Sequence, residues 1–240
     1  MTLNFRIEET ERGRPMDNNI IAFDVNETLL DLSSLDPLFD QVFGDAGVRR
    51  QWFAQMLILA MTGGLTGQYL RFSSAQHAAL EMISDRAGIT LSNADMDTII
   101  TGMRRLSPHA DVPVGLAALL ETPHRLVALT NSEKEIAEEQ LSHAGIRHMF
   151  EAVHSADEVQ RLKPAPEPYL MVANAHGVTP DRVWLVAAHA WDVSGAMAAG
   201  CRAAFVSRPG MVPSPVGPAP HLAVKDLIEL SVSLPSHPKM

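Results

Sequence analysis

The sequence has few of the residues on which several classes of protein depend. It contains one cysteine, Cys201, so it holds neither a disulfide framework nor a thiolate metal site. No apolar run approaches the roughly 20 residues of a membrane helix. The formal net charge is −9, and lysine and arginine form no dense cluster, which predicts no binding of nucleic acid. These shortages favour a globular protein of a reducing cytoplasm, without membrane or nucleic-acid partners.

What the sequence does contain is an apolar strand, a long helical stretch and then an alternation of strands and helices. Hydrophobic residues make up 46% of the 240 residues, enough for one α/β domain with a modest inserted subdomain. The alternation after residue 112 predicts a doubly wound parallel sheet. We therefore predict an α/β fold with a Rossmann-like core in 18–32 and 108–234 and a helical cap subdomain in 33–107. Residues 1–17 are expected to form a loose extension, without the apolar segment of a signal peptide.

The individual elements follow from apolar periodicity and from glycines at helix ends. In the cap we expect helices at 48–61, 75–87 and 93–106. In the core we expect strands at 20–23, 125–129, 152–154, 183–187, 202–206 and 222–224, with helices at 114–120, 133–144, 166–175, 192–199 and 225–230.

Polar residues follow the first two predicted strands. Asp24 ends the apolar run Ile20-Ile21-Ala22-Phe23, and Thr28 follows four residues later. Thr130 ends the second strand and precedes a helix, where a hydroxyl and free helix amides suit an anionic oxygen. Because parallel sheets bind ligands at the carboxyl ends of their strands, these residues are candidate site residues. Each of them can also act only as a turn or helix-capping residue.

Two later segments carry charged residues. Lys163 precedes a proline, and beside Asp24 its ammonium would keep that carboxyl ionised. His189 and Asp192 follow the strand that begins near Trp184. A solvated surface lysine and a hydrogen-bonded core histidine are the alternatives from the residues alone.

In this order the four segments, which span residues 20 to about 206, resemble the motifs of the haloacid dehalogenase superfamily. In that superfamily the aspartate at the position of Asp24 is a covalent nucleophile. Its phosphatases carry a second aspartate, a general acid, where this chain has Asn26, and a magnesium-binding acid where it has Ala188. With both acids missing, we expect no metal and no other cofactor. This chain also has Glu27 where the family usually has glycine.

The run Ala-Trp-Asp at 190–192 is similar to the (S)-2-haloacid dehalogenase branch, which has Ser and Asn at the positions of Ala187 and His189. This resemblance implies that Asp24 displaces halide from the α-carbon of a short 2-haloacid with inversion, and that water hydrolyses the aspartyl ester to a 2-hydroxyacid. It implies that Arg50 receives the halide, and that Asp192 is the base or orients it, with His189 assisting.

The site residues implied by the resemblance form two groups. The catalytic group is Asp24, Thr28, Arg50, Lys163, His189 and Asp192. The substrate-binding group is Val25, Asn26, Gln51, Phe72, Thr130, Asn131, Tyr169 and Trp191.

Three other activities stay open at the level of the sequence. They are a magnesium-dependent phosphatase of a small phosphometabolite, a hydrolase of a small cyclic amino acid, and a catalytically silent relative. The substitutions at Ala187 and His189 are what leave the silent relative open. The family-level expectation for assembly is a homodimer formed through the cap.

Overall fold

Six parallel strands form the central sheet of the computed structural model, which describes residues 19–235. The predicted extension 1–17 lies outside the described residues. The strands are β1 Ile20–Phe23, β2 Arg125–Thr130, β3 Ala152–Ser155, β4 Val183–Ala187, β5 Arg202–Val206 and β6 Leu222–Val224. Their spatial order is β3-β2-β1-β4-β5-β6, and each neighbouring pair is parallel. The predicted doubly wound α/β fold is confirmed.

Helices cover both faces of this sheet. In the described part of the chain they are α1 Asp36–Phe43, α2 Val48–Thr66, α3 Phe72–Ala87, α4 Asn93–Gly102, α5 Val112–Leu120, α6 Lys134–His143, α7 Pro166–Ala175, α8 Ala190–Ala198 and α9 Leu227–Ser233. None of them is long and apolar enough to cross a bilayer.

Two helices differ most from the sequence-based expectation. Helix α1 was not predicted, and it starts with a proline in its first turn, where a missing N–H costs nothing. Helix α2 runs five residues further than expected and ends at Gly67, whose φ of 71° is easily reached only without a side chain. The predicted helix 93–106 ends at Gly102 and continues as a 3-10 turn, Met103–Arg105.

The first four helices are inserted between β1 and α5 and form the cap. The segment that leaves the core and the segment that returns to it lie next to each other. Leu30 forms an antiparallel bridge with Pro108, and the Asp31 N–H donates to the Ser107 carbonyl at 2.8 Å. We propose that the cap extends over 33–107, which puts both of its ends beside this bridge.

Strand β1 carries the site because of its central position. Ile21 and Phe23 join the apolar cluster that continues into the cap, whereas Ile20 and Ala22 face the cluster around α7 and α8. All four residues are fully buried, since helices cover both faces of a parallel sheet. The sheet order reverses at β1, between β2 and β4, and the residue that follows this strand is Asp24.

Candidate active site

Asp24 is a buried carboxylate whose two oxygens are held by different parts of the chain. Its backbone N–H donates to the Val186 carbonyl at 3.0 Å, which continues the β1–β4 pairing by one residue. The Thr28 hydroxyl donates to Oδ2 at 2.6 Å, and the Lys163 ammonium donates to Oδ1 at 2.9 Å. The residue is 5% exposed, so one small part of it reaches a cavity. The spacing of Asp24 and Thr28 in the sequence thus corresponds to a direct contact.

Lys163 is the cation at the centre of the site. Its fully buried ammonium donates to Asp24, to Asp192 Oδ2 at 2.6 Å and to the Leu129 carbonyl at 3.0 Å, which uses all three of its protons. Asn131 fixes the backbone of this lysine: its Oδ1 accepts from the Lys163 N–H at 2.7 Å, and its Nδ2 donates to the Lys163 carbonyl at 3.2 Å. Asn131 therefore positions Lys163.

Asp192 lies in the first turn of α8 and is fully enclosed. Tyr169 donates its hydroxyl to Oδ1 at 2.5 Å, and Lys163 occupies Oδ2. Gly195 permits this close packing, because a Cβ there would lie 2.8 Å from the Tyr169 hydroxyl and 2.6 Å from Pro164 Cβ. With both of its oxygens occupied, Asp192 is placed to hold Lys163 rather than to meet a water molecule in the cavity.

The charges of this cluster follow from burial and from neighbours. Burial alone would raise the pKa of Asp24, but the Lys163 charge and then the His189 hydrogen bond outweigh it and hold that pKa well below its usual value. Burial would lower the pKa of Lys163, but Asp192 and Asp24 raise it. Burial, with the nearby Asp24 charge, raises the pKa of Asp192 against the opposing effect of Lys163. Asp24 is thus the ionised carboxylate that a nucleophile requires.

His189 contacts the other side of Asp24. Its Nδ1 lies 3.1 Å from Asp24 Oδ2, and its Nε2 lies 3.0 Å from Glu27 Oε2. The imidazole ring stacks on Phe53 and on Trp191, with distances between ring centroids of 5.6 Å and 5.2 Å. Burial would lower the pKa of His189, but the hydrogen bonds to Asp24 and Glu27 raise it to about 9. The imidazole is therefore a cation at neutral pH while Asp24 is ionised.

Glu27 adopts a left-handed backbone conformation with φ of 61°, at the position where the family usually has glycine. For a residue with a side chain, this conformation is about 1–2 kcal/mol higher in free energy than the right-handed one. Its carboxylate accepts from His189 and, at 3.3 Å, from Arg49, which also donates to Asp36 at 2.5 Å. The turn thus links the histidine to the cap.

The Asp24 cavity has a volume of about 10 Å³. Its lining residues are Asp24, Asn26, Phe53, Leu57, Phe72, Thr130, Asn131, Lys163, His189 and Trp191. A single water molecule needs about 10–15 Å³, so the cavity in this arrangement is too small for a 2-haloacid. Substrate entry requires that Phe53, Leu57 and Phe72, on α2 and α3 of the cap, move away from the core.

Eight of the fourteen predicted site residues line the cavity, and six do not. Thr28 and Asp192 act behind the lining, through Asp24 and Lys163. Arg50 and Gln51 are exposed on α2, and Arg50 faces a separate cavity of about 100 Å³ beside Glu27. Val25 is fully buried below the cavity, and Tyr169 reaches Asp192 instead. The role of Arg50 as halide acceptor stays a prediction, and the described arrangement does not support it.

Several residues near the site were missed by the sequence reasoning. They are Arg49, Phe53, Leu57, Ser132 and Gln140, together with the carboxylate role of Glu27. Asn26 donates to the Ser132 hydroxyl at 3.3 Å and accepts from Gln140 at 3.1 Å. Glu27 in the first motif, together with Ala187 and His189 in the last, was the signal in the sequence that pointed to a changed site.

The donor set does not fit a divalent cation. Among residues 19–235 no group of three or more histidine, cysteine, aspartate or glutamate side chains is placed to hold a metal ion. The Lys163 ammonium lies between Asp24 and Asp192, so a positive charge already neutralises the two carboxylates that would be candidate ligands.

Comparison with known proteins agrees with this geometry. Residues 21–206 match the family model of the haloacid dehalogenase-like hydrolases. The chain belongs to the haloacid dehalogenase-like hydrolase family. It is 29% identical over 209 residues to an (S)-2-haloacid dehalogenase of Pseudomonas sp. (strain YL), covering 86% of this chain and 90% of that protein. It is 28% identical over 206 residues to haloacetate dehalogenase H-2 of Moraxella sp. (strain B), covering 85% of this chain and 92% of that protein.

Solved structures of this family are also similar to the chain. The L-2-haloacid dehalogenase of Xanthobacter autotrophicus superposes with a TM-score of 0.83 at 25% identity, covering 90% of this chain and 97% of that one. A second structure of that enzyme, with the same TM-score, identity and coverage, has chloropropionic acid covalently bound.

Proposed function

We propose that this haloacid dehalogenase-like hydrolase converts short (S)-2-haloacids to 2-hydroxyacids of opposite configuration through an aspartyl ester. The observation that carries the proposal is Asp24, an ionised carboxylate beside the cavity, fixed by Thr28, Lys163 and His189. The covalently bound chloropropionic acid of the Xanthobacter relative supports the same chemistry.

In the first half-reaction an oxygen of Asp24 attacks the α-carbon as the carbon–halogen bond breaks, and the halide leaves with the bonding electrons. The Lys163 and His189 cations stabilise the anions gathered in this space. Thr130 lines the cavity, and its hydroxyl, which accepts from the Ser132 N–H at 3.1 Å, keeps its own proton to donate to the substrate carboxylate. Phe53, Phe72 and Trp191 supply apolar walls, which exclude bulk water from the reacting atoms once the cap closes.

In the second half-reaction water attacks the carboxyl carbon of Asp24 and the 2-hydroxyacid leaves. This route regenerates the carboxylate with one oxygen taken from water. A phosphatase is supported less well, because Asn26 has no titrating proton and its amide is already held by Ser132 and Gln140.

The test is halide release from (S)-2-chloropropionate in the presence of EDTA, with p-nitrophenyl phosphate and added Mg²⁺ in a parallel assay. We expect halide release without metal from the wild type and none from Asp24→Asn. Phosphate release that depends on Mg²⁺, without halide release, would favour the phosphatase. Full turnover by Asp24→Asn would exclude the covalent route.

Two further features belong to the proposal. We propose a cytoplasmic location, based on the single cysteine, and a homodimer formed through the cap. Size-exclusion chromatography with light scattering tests the dimer, and a monomeric mass at assay concentration would count against it.

A further inference from the structure

His189 is fixed in one orientation at the edge of the Asp24 cavity. Hydrogen bonds hold its two nitrogens, with Asp24 at 3.1 Å and Glu27 at 3.0 Å, and Phe53 and Trp191 cover its two faces. The residue is 5% exposed and lines the same cavity as Asp24. The ring has no other space in which to turn.

Glu27 determines which nitrogen of His189 is basic. A carboxylate only accepts hydrogen bonds, so the Nε2 that faces Glu27 keeps its proton. In the neutral imidazole the free lone pair therefore lies on Nδ1, the atom that faces Asp24. Arg49 holds the other oxygen of Glu27, so the cap helix α2 supports this orientation.

We propose that His189 is the general base of ester hydrolysis, that Glu27 is its positioning residue, and that alkylation of Asp24 is the event that frees His189 to accept a proton. This inference rests on the proposed function. It assigns the proton transfer to a residue that borders the cavity, whereas Asp192 is enclosed by Lys163 and Tyr169.

Two charged groups contact His189, and three others, Lys163, Arg49 and Asp192, lie behind them. The carboxylates of Asp24, at the end of β1, and Glu27, in the following turn, favour the imidazolium. Lys163, 5.9 Å from the Trp191 ring, and Arg49, behind Glu27, oppose it. Phe53 of α2 and Trp191 of α8 cover the ring faces and are uncharged. Helix α8 also carries Asp192, whose carboxylate accepts from the Lys163 ammonium at 2.6 Å. Esterification removes the charge of Asp24, one of the two carboxylates that raise the pKa of His189, so that pKa falls from about 9.

The protons balance over one turnover. After the halide leaves, His189 releases its proton to solvent. Nδ1 then takes a proton from the attacking water while the oxygen of that water bonds to the carboxyl carbon of Asp24. The bond to the ester oxygen breaks, and the departing alkoxide takes the remaining proton of the former water, which leaves the 2-hydroxyacid, ionised Asp24 and protonated His189. The net products are hydroxyacid, halide and one proton.

The first test needs no substrate. Asp24→Asn replaces the carboxylate by a neutral group, as the ester does. In NMR titrations of the imidazole, we expect the midpoint of His189 to fall by about 1–3 pH units relative to the wild type. An unchanged midpoint in a folded variant would overturn the inference, whatever the substrate of the enzyme is.

The second test separates the half-reactions by rapid quench with (S)-2-chloropropionate. We expect His189→Gln to release one equivalent of halide per active site and then to hydrolyse the ester about 100-fold or more slowly, so that the adduct is visible by intact-protein mass spectrometry. The control His143→Gln, on the exposed end of α6, should behave as the wild type. Normal turnover by His189→Gln, or slow turnover without the adduct, would refute the assignment.

Glu27→Gln distinguishes a positioning role from a purely structural one. Without the Glu27 charge the imidazole loses its proton more readily, so the acidic limb of single-turnover ester hydrolysis should move to lower pH. A lower rate with an unmoved limb would contradict the role of Glu27. If no variant and no wild type releases halide or forms an adduct, the proposed function fails, and the NMR titration still decides the coupling between Asp24 and His189.

Discussion

Removing the Lys163 ammonium should destabilise the protein strongly, and by an amount that depends on pH. In Lys163→Met the apolar stem is kept, but Asp24 retains only His189 as a cation and Asp192 retains only the Tyr169 hydroxyl. Removing one partner of a buried ion pair costs about 3–5 kcal/mol. Since this ammonium serves two carboxylates that are 7% and 0% exposed, we expect about 4 kcal/mol at neutral pH.

The expected pH dependence follows from the direction of the pKa shifts. In the wild type the pKa of Asp24 is lowered, so its contribution to stability is present above about pH 4 and is lost as the pH falls through the folded-state pKa. In Lys163→Met both carboxyls are buried without this cation, so their pKa values rise. They then take up protons as the pH falls from about 7 to about 4, and the stability deficit of the variant should shrink over that range.

The assay is thermal and urea unfolding of both proteins across this pH range. A deficit of about 4 kcal/mol corresponds to a Tm lower by roughly 8–16 °C for a chain of this size. Lys134→Met is the matched control, because Lys134 pairs with Glu158 at 3.0 Å while both side chains are at least 37% exposed, and such pairs contribute about 0–1 kcal/mol. A deficit as small as that of the control, or one that is constant from pH 7 to about pH 4, would refute the reasoning.

Three further outcomes are expected. Because the pKa of His189 is raised to about 9 in the folded protein, its protonation adds at most about 3 kcal/mol to the free energy of unfolding. This contribution is complete below about pH 6.5 and is lost as the pH rises through about 9. The free energy of unfolding of His189→Asn should lack this decline. Gly115→Ala should cost about 1–3 kcal/mol in urea unfolding, because its Cβ would lie 2.4 Å from Leu227 Cβ, and an unchanged midpoint would contradict the packing of α5 on α9. Gly64→Ala in α2 meets no atom within 4 Å and should instead raise stability by about 0.5–1 kcal/mol.

The cluster around Asp24 was predictable because of the way parallel sheets are built. Asp24, Thr130 and Ala187 end or follow neighbouring strands, so a sequence that alternates strands and helices must bring these positions to one edge. The same logic placed Lys163 in a loop and Asp192 at the start of a helix at that edge. The hydrophobic pattern was sufficient to place these site residues, since each strand is short and apolar and has a clear end.

The cap was harder to predict because α2 carries apolar residues all around its circumference. Neighbouring residues on a helix point about 100° apart, so only one of Arg49 and Arg50 can face the core. The resemblance favoured Arg50, but the structure buries Arg49 against Glu27 and Asp36 and leaves Arg50 exposed. No pattern in the local sequence could make this choice, because the partners of Arg49 lie 22 and 13 residues away.

Glu27 connects the cap to the chemistry, and its backbone conformation shows what that connection costs. Glycine would adopt φ of 61° without strain, yet the chain carries a glutamate whose oxygens join His189 of the core to Arg49 of α2. Arg49 belongs to α2, so we infer that cap opening takes this cation away from Glu27. Closure restores that cation, so a closed cap and an esterified Asp24 both favour the neutral, basic form of His189. Under the proposed mechanism, hydrolysis is thereby favoured when the ester is formed and the cavity is closed.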